Sequence, residues 1–232
     1  MDIRVFPDEG EVAHEAARMI AAMARKYAAA NGRFLMAVSG GKTPWKMLES
    51  LGKEDIPWKS VHVFQVDERV APAGHPDRNL TYLRKSLLEH SPLSEDNIHS
   101  MPVELNNLES AAENYSVLLS KIAGKPPVLD LVHLGLGSDG HTASLIPDDL
   151  VLNVDNCDVA LTGIYQGRKR MTLTYPMINR SRNILWIVTG AEKVAVLKRL
   201  QANDTAIPAG RICQDKAIIL ADHDAVSDMM VK

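Results

Sequence analysis

An acid and a base stand two residues apart in segment 129–147, the part of the chain with the clearest potential for chemistry. Asp139 and His141 follow an apolar run that has the length and composition of a buried β-strand. Glycines after such a strand let the backbone turn sharply and let a ligand approach it closely. Because open α/β sheets bind ligands at the carboxyl ends of their strands, we expect Asp139 and His141 to belong to a binding site.

A second glycine-containing segment, residues 39–44, is a candidate anion site. It reads Ser-Gly-Gly-Lys-Thr-Pro and connects a predicted strand at 34–38 to a predicted helix. Free backbone N–H groups and the positive end of the helix dipole attract phosphate to such a loop, and Ser39 and Thr43 add hydroxyl groups. The segment is neither a Walker loop nor a GxGxxG motif, so on its own a tight turn without a ligand remains an alternative.

Charged residues appear at two further strand ends. Asp67, Glu68 and Arg69 directly follow a predicted strand at 61–66, which is more charge than a solvated loop needs, although solvated loops are the commoner case. Lys193 lies in the first turn of a predicted helix at 191–200, where its charge opposes the helix dipole. It therefore points into solvent or holds an anion, and the local sequence favours solvent.

Composition narrows the class of protein. The chain has 232 residues, of which 46% are hydrophobic and 24% charged, as expected of a globular protein with a substantial core. A net charge of −3 argues against a general nucleic-acid binder, and no apolar run is long enough to span a bilayer. The start of the chain does not resemble a signal peptide. Cys157 and Cys213 are isolated, which predicts reduced thiols in the cytoplasm and gives no indication of a metal site.

Predicted strands and helices alternate along the whole chain. The strands are predicted at 3–6, 34–38, 61–66, 98–99, 129–134, 158–164, 170–174, 183–189 and 217–221. The helices are predicted at 8–31, 44–51, 78–88, 107–121 and 191–200, with a short helix or turn from Pro176. This alternation predicts an α/β protein with a mostly parallel sheet and helices on both faces. Since no linker is visible, we predict one domain over residues 1–232.

Taken together, in this order and at these spacings, the motifs resemble the 6-phosphogluconolactonase family, part of a wider group that includes glucosamine-6-phosphate deaminases. The resemblance covers essentially the whole chain. It rests on residues 39–44, Asp67-Glu68-Arg69 with Arg78-Asn79, and residues 135–147, with weaker support from 170–174, Thr189-Gly190 with Lys193, and 208–211. It implies a three-layer Rossmann-like fold and hydrolysis of 6-phosphogluconolactone to 6-phosphogluconate, without a metal or organic cofactor.

The resemblance implies that His141 is the general base that takes a proton from the attacking water. An imidazole, with an ordinary pKa of about 6.5, is largely neutral at cytoplasmic pH and suits that task. A structural histidine that caps its own loop is the alternative. A lactone is an activated ester that needs no covalent nucleophile, and no GxSxG elbow is present, so Ser39 and Ser144 are not expected to act as serine-hydrolase nucleophiles.

Other roles implied by the resemblance concern the phosphorylated sugar. Its phosphate would be held by segment 39–43, through Ser39, Gly40, Gly41 and Thr43, with positive charge from Lys193 and Arg170. This reverses the solvent interpretation of Lys193.

Four candidate residues keep more than one role. Arg69 would hold phosphate or sugar hydroxyls or stabilise the oxyanion, and Asp67 and Asp139 would orient sugar hydroxyls or His141. Arg211 is either a further phosphate ligand or part of a structural ion pair.

The rival within the group is a glucosamine-6-phosphate deaminase. Deaminases continue after the histidine as Ala-Phe-Asn-Glu-Pro and have tyrosine after the Asp-Glu pair, whereas this chain has Ala143-Ser144-Leu145-Ile146-Pro147 and Arg69. Both differences favour the lactonase. A non-catalytic sugar-phosphate sensor is a second rival, but it would need an output module and would not need His141.

Ile146, where the family usually has phenylalanine, and Asp77-Arg78-Asn79, in place of the commoner serine-asparagine, are the departures from the family pattern. The expected partner is a small phosphorylated sugar lactone, with no nucleic acid or membrane. The oligomeric state stays open, with a monomer slightly favoured. Whether the loop at 70–79 closes over the substrate as a lid also stays open.

Overall fold

A computed structural model describes residues 1–229 of the chain. The strands are β1 (Asp2–Phe6), β2 (Phe34–Val38), β3 (Val61–Gln65), β4 (Asp67–Arg69), β5 (Ile98–His99), β6 (Leu131–Gly135), β7 (Val159–Leu161), β8 (Arg170–Leu173), β9 (Ile184–Val188) and β10 (Ala217–Asp222). The α-helices are α1 (Glu9–Asn31), α2 (Lys42–Leu51), α3 (Asn79–Leu87), α4 (Leu108–Ala123), α5 (Tyr175–Arg180) and α6 (Val194–Gln201).

Seven strands form one parallel sheet in the order β1-β10-β9-β6-β2-β3-β5. From β2 the chain continues outward through β3 and β5, and from β6 it continues in the opposite direction through β9 and β10. The point of reversal lies between β2 and β6, which pair only at Met36 with Leu131 and at Ala37 with Val132. Ligands of open α/β sheets bind in the crevice beyond such a point.

Both faces of this sheet are covered. All five residues of β2 are buried, because alternate side chains enter opposite layers. Phe34, Met36 and Val38 pack in the layer that contains α1, α2 and α3. Leu35 and Ala37 pack in the layer that contains α4, α5 and α6. The predicted α/β fold, with a mostly parallel sheet between layers of helices, is confirmed.

A second, three-stranded antiparallel sheet, β4-β8-β7, was not expected from the sequence. Residues 67–69, which the sequence indicates only as charged residues after a strand, pair as β4 with β8. Successive side chains of β4 point to opposite faces, which separates the three consecutive charges. Asp67 and Arg69 line the cleft described below, whereas Glu68 is fully buried against the start of α3. The predicted strand at 158–164 is shorter than expected, since β7 ends at Leu161, and a turn with positive φ at Gln166 and Gly167 follows before β8.

Other predicted bounds shift by a few residues. The predicted helix at 191–200 begins with a single 3₁₀ turn, Ala191–Lys193, so Lys193 precedes α6. Cys157 and Cys213 are free thiols. Within residues 1–229, no helix combines the length and the apolar character needed to cross a bilayer.

Glu68 joins the two sheets to α3. Its carboxylate accepts hydrogen bonds from the backbone N–H groups of Asn79 and Leu80, at 2.8 and 2.9 Å. These are N–H groups of the first turn of α3, which has no side-chain cap of its own. Arg78 places its Nε 3.0 Å from Glu68 Oε2, and both side chains are almost completely buried. The buried carboxylate therefore caps a helix and neutralises an arginine at once.

We expect Glu68→Ala to lower the free energy of unfolding by about 3–5 kcal/mol, since it leaves the Arg78 charge buried beside an uncapped helix. Glu104→Ala is the matched control, because Glu104 contacts the same arginine at 2.6 Å but is half exposed. A loss of about 1 kcal/mol or less is expected there. Urea denaturation followed by circular dichroism measures both, and equal losses would contradict this role of Glu68.

Candidate active site

A cleft of about 620 Å³ opens at the carboxyl ends of the parallel strands, beside the second sheet. The ends of β2, β6, β9 and β10 line it, together with residues of β4 and β8. It brings together most of the residues that the sequence singled out, namely Ser39, Gly40, Gly41, Thr43, Asp67, Arg69, His141, Arg170 and Lys193. Asp139 lies directly behind His141. The structure does not bring Arg211 to the cleft, since its Nε donates to the Thr205 carbonyl.

His141 and Asp139 form a hydrogen-bonded pair on the loop that follows β6. His141 Nδ1 lies 2.6 Å from Asp139 Oδ1, which also accepts the His141 backbone N–H at 3.1 Å. A carboxylate can only accept, so the proton of the neutral imidazole belongs on Nδ1. Nε2 then carries the lone pair of the imidazole. This arrangement makes His141 a base whose orientation is determined by its neighbour.

The carboxyl group of Asp139 is held in its ionised form. Partial burial favours the neutral acid, but the His141 backbone N–H, the imidazole and the Tyr165 hydroxyl outweigh it and lower the pKa of Asp139 below its ordinary value. Tyr165 donates to Asp139 Oδ2 at 2.9 Å, so each carboxylate oxygen has its own partner.

The loop can make this pair only with a glycine at 137. The Gly137 N–H donates to the His141 carbonyl at 2.8 Å, and the Gly140 N–H donates to the Gly137 carbonyl at 2.9 Å, which closes a tight turn. A Cβ atom on Gly137 would overlap the His141 ring and lie 2.6 Å from Asp139 Oδ1. The turn therefore gives the imidazole and the carboxylate the room in which they meet.

The loop at 39–43 presents the features of an anion site. Gly41 precedes α2 with a φ of 145°, a conformation that favours glycine, and no side chain caps the helix. The N–H groups at the start of α2 are therefore available to an anion. Thr43 Oγ1 lies 2.8 Å from Thr189 Oγ1, so a hydroxyl from the first turn of α2 and one that follows β9 meet beside this loop.

Lys193 is the cation on the same side of the cleft. Its side chain is 21% exposed, and its nearest carboxylate oxygen, from Glu192, is 3.8 Å from Nζ. The turn that precedes Lys193 is stabilised by Asp222, whose carboxylate accepts a hydrogen bond from the Gly190 N–H. The structure thus places Lys193 among the residues that line the cleft.

Arg69 and Arg170 stand directly opposite each other on β4 and β8. Like charges at such positions repel. Each Nε is buried without a hydrogen-bond partner among residues 1–229, although both residues line the cleft. Burial, together with the charge of Arg69, lowers the pKa of the Arg170 guanidinium. A negative group between the two arginines would relieve both the repulsion and the missing hydrogen bonds.

Asp67 is hydrogen-bonded to Ser144, whereas Asp139 is hydrogen-bonded to His141. Its Oδ2 accepts the Ser144 hydroxyl at 2.7 Å, and its backbone carbonyl accepts the Asn79 amide at 2.9 Å. Ser144 is fully buried, so its hydroxyl is committed to this contact. Of the two aspartates, Asp139 is therefore the partner of His141, a distinction that the sequence alone leaves open.

His133 closes the gap between β2 and β6 where their pairing ends. Its Nδ1 accepts the Ser39 N–H at 3.2 Å, and its carbonyl accepts the Ser39 hydroxyl at 3.1 Å. Complete burial lowers the pKa of His133 to about 3, so the ring is neutral. His133 therefore holds the start of the 39–43 loop.

Two residues of the site, Tyr165 and Thr189, make contacts that the sequence does not indicate. Tyr165 lies between β7 and β8, in a segment without a recognisable motif, and only the folded structure brings it to Asp139. Thr189 was noted as part of a motif, but nothing in its local sequence indicates the contact with Thr43. In the part of the chain that the structure describes, no three His, Cys, Asp or Glu side chains are grouped as metal ligands would be.

Fold and cleft together define an α/β protein with a hydrogen-bonded Asp-His pair and a glycine loop at the switch point of its sheet. The family described as glucosamine-6-phosphate isomerases/6-phosphogluconolactonase matches residues 7–220. The chain belongs to this family, and the resemblance inferred from its motifs is confirmed.

Curated relatives agree over most of the chain. A 6-phosphogluconolactonase of Synechocystis sp. is 38% identical, over 86% of this chain and 86% of the relative. A 6-phosphogluconolactonase of Nostoc sp. is 33% identical, over 97% of this chain and 96% of the relative.

Solved structures share the architecture. The 6-phosphogluconolactonase of Trypanosoma brucei has a TM-score of 0.87 at 25% identity and covers 98% of both chains. A monomeric glucosamine-6-phosphate deaminase has a TM-score of 0.86 at 17% identity, over 98% of this chain and 99% of the other. The fold is therefore common to both branches of the family, and the choice between them depends on the residues of the site.

We expect Gly137→Ala to break the contact between His141 and Asp139 while the protein stays folded, because the three atoms nearest to the added methyl group belong to the side chains of His141 and Asp139. Gly135→Ala is the matched control, since a Cβ atom there has no neighbour within 4 Å. Long-range ¹H–¹⁵N NMR of the imidazoles measures the proton on Nδ1 of His141. It should be retained in the wild type and the control and lost in Gly137→Ala; retention in all three proteins would refute the assignment.

Proposed function

We propose that the protein hydrolyses 6-phosphoglucono-1,5-lactone to 6-phosphogluconate, the second step of the oxidative pentose phosphate pathway. The observation that carries the proposal is the orientation of His141, whose Nδ1 is occupied by Asp139 in a cleft that also contains an anion loop. Membership of the family and the names of the curated relatives support the same activity.

His141 is the general base. As a water oxygen attacks the lactone carbonyl carbon, Nε2 accepts the proton that the water loses, and Asp139 stabilises the resulting imidazolium. Collapse of the tetrahedral intermediate breaks the bond to the ring oxygen, and the imidazolium returns the proton to that oxygen. The product carboxyl then ionises to a carboxylate.

Water is the attacking group in this proposal. The Ser39 hydroxyl donates to the His133 carbonyl, and the Ser144 hydroxyl donates to Asp67. Neither serine is hydrogen-bonded to His141, as a serine nucleophile activated by it would be. This supports direct hydrolysis, since a lactone is reactive enough to need only a positioned base and water.

The phosphate occupies the end of the cleft formed by residues 39–43 and Lys193. Backbone N–H groups at the start of α2, the Thr43 hydroxyl and the Lys193 ammonium are complementary to a phosphate dianion. Arg170 packs on Tyr165, with 4.8 Å between the guanidinium carbon and the ring centroid, which links it to the His141 end. We therefore assign Arg170 to the developing oxyanion and Arg69, beside it, to phosphate or sugar hydroxyls.

Glucosamine-6-phosphate deamination is the competing function, because a deaminase has the same fold. The site argues against it. Deaminases have a glutamate in the segment after the histidine, whereas Ser144 and its neighbours here supply no carboxylate, and the Ser144 hydroxyl is buried on Asp67. Without that carboxylate the cleft lacks one member of the set of groups that the deaminase pattern uses to open the sugar ring.

The cytoplasm is the proposed location, supported by the free thiols of Cys157 and Cys213, which suit a reducing compartment. The absence of a nucleic-acid or membrane partner, the single domain and the monomeric state stay predictions.

We expect His141→Ala to lower kcat for the lactone by about 10²–10⁴-fold, the usual contribution of a general base. The lactone is generated in situ and its decay is compared with the spontaneous rate. His14→Ala is the control, because His14 is exposed on α1. Turnover by His141→Ala at the wild-type rate would rule out the mechanism.

Lys193→Gln should raise KM for the lactone by about 10–100-fold with a smaller change in kcat, as expected for a lost charged hydrogen bond to phosphate. Lys198→Gln removes the same charge from the next turn, where Lys198 is half exposed and pairs with Asp228, and should leave KM unchanged. An unaltered KM in Lys193→Gln would remove this lysine from the phosphate site.

A further inference from the structure

Three side chains form a continuous hydrogen-bonded series that ends at the base. Tyr165 donates to Asp139 Oδ2 at 2.9 Å, and Asp139 Oδ1 lies 2.6 Å from His141 Nδ1. A carboxylate bound through one oxygen can still rotate about that contact. With both oxygens bound, its plane is fixed, and so is the direction in which it holds the imidazole.

We propose that Tyr165 is a positioning residue that acts through Asp139 to orient and tune His141. The inference rests on the proposed lactone hydrolysis for its kinetic consequences, although the contact itself does not. Tyr165 is a positioning residue rather than a catalytic one because its hydroxyl is committed to Asp139.

The position of Tyr165 is itself determined by its surroundings. Its ring meets the His141 ring edge-on, at 5.6 Å between centroids and 68° between planes. On the other side, Arg170 stacks on the ring and donates to the Gln166 side chain at 3.1 Å. Gln166 and Gly167 form the turn of the hairpin at residues 162–170, both with positive φ. The phenol is thus held between the base and a buried arginine.

The same hairpin is attached to the loop at 70–79. Arg168 Nε donates to Asp77 Oδ2 at 2.6 Å, and the Asp77 carbonyl accepts a hydrogen bond from Arg69 at 2.9 Å. The contact with Asp77 is partly exposed and contributes little on its own. It nevertheless links Tyr165 to the strand that carries Arg69, so the hairpin connects the base to the arginine pair.

The charge on Asp139 links the Tyr165 hydroxyl to the basicity of His141. Burial, followed by the hydrogen bond to Asp139, raises the pKa of Tyr165, so the hydroxyl remains a donor at neutral pH. By donating, it withdraws part of the Asp139 charge from the imidazole. Arg170, Arg69 and Asp67 are the other charged groups of this neighbourhood, and none of them replaces the donor. Loss of the hydroxyl should therefore stabilise the imidazolium and make His141 titrate at higher pH.

Tyr165→Phe tests this, because it keeps the ring and both of its ring contacts and removes only the hydroxyl. We expect kcat to fall about 3–30-fold, with KM within about twofold of the wild type. Since the base must be neutral to accept a proton, the acidic limb of the kcat–pH profile should move to higher pH. Tyr27→Phe is the matched control, as it removes a hydroxyl that accepts from Asn183 at 2.8 Å, away from the cleft.

An unchanged kcat and pH profile in Tyr165→Phe, or a change confined to KM, would overturn the proposal. NMR titration of His141 in the free protein gives a second readout that needs no turnover, and its midpoint should rise in the variant; an unmoved midpoint would also overturn it. If the wild type fails to hydrolyse the lactone, the proposed function falls, whereas the NMR result still decides whether Tyr165 acts on His141.

Discussion

The hydrogen bond between Asp139 Oδ1 and His141 Nδ1 is the interaction on which the site depends. It assigns the proton to one ring nitrogen and leaves the other as a base. For the two side chains to meet, the chain must turn within a few residues of the end of β6. Position 137 must be glycine, because a Cβ atom there would overlap the His141 ring. The parallel sheet places that turn at its switch point, beside the loop that begins at Ser39. The Asp139–His141 pair and the loop at 39–43 are therefore neighbours because of the sheet topology.

A second constraint is the burial of charge around β4. Because successive side chains of a strand point to opposite faces, Glu68 points away from Asp67 and Arg69. The Glu68 carboxylate caps α3, while Asp67 and Arg69 line the cleft. The carboxylates obtain complete sets of partners, as buried charges must. Arg69 and Arg170 do not, since their Nε atoms lack acceptors. The structure thus satisfies its negative charges internally and keeps positive charge for a ligand, which fits an anionic substrate.

Sequence patterns were reliable where they reflect burial and local turn chemistry. The buried strand β2, the glycine loop after it and the Asp8-capped helix α1 follow from periodicity and capping. Patterns failed where partners are remote in the chain. Residues 67–69 look like a charged loop until β8 pairs with them, and Tyr165 becomes informative only once the hairpin folds onto Asp139. Arg211, although it is part of a family motif, lies outside the cleft, and its Nε donates to the Thr205 carbonyl.

In the proposed function this cleft directs water onto a phosphorylated lactone and does not release ammonia from an amino sugar. The most direct measurement compares the two activities of the purified wild-type protein, by following the decay of 6-phosphogluconolactone generated in situ and, in parallel, ammonia release from glucosamine 6-phosphate. We predict lactone decay far above the spontaneous rate and no ammonia above background. Ammonia release without acceleration of lactone decay would contradict the account.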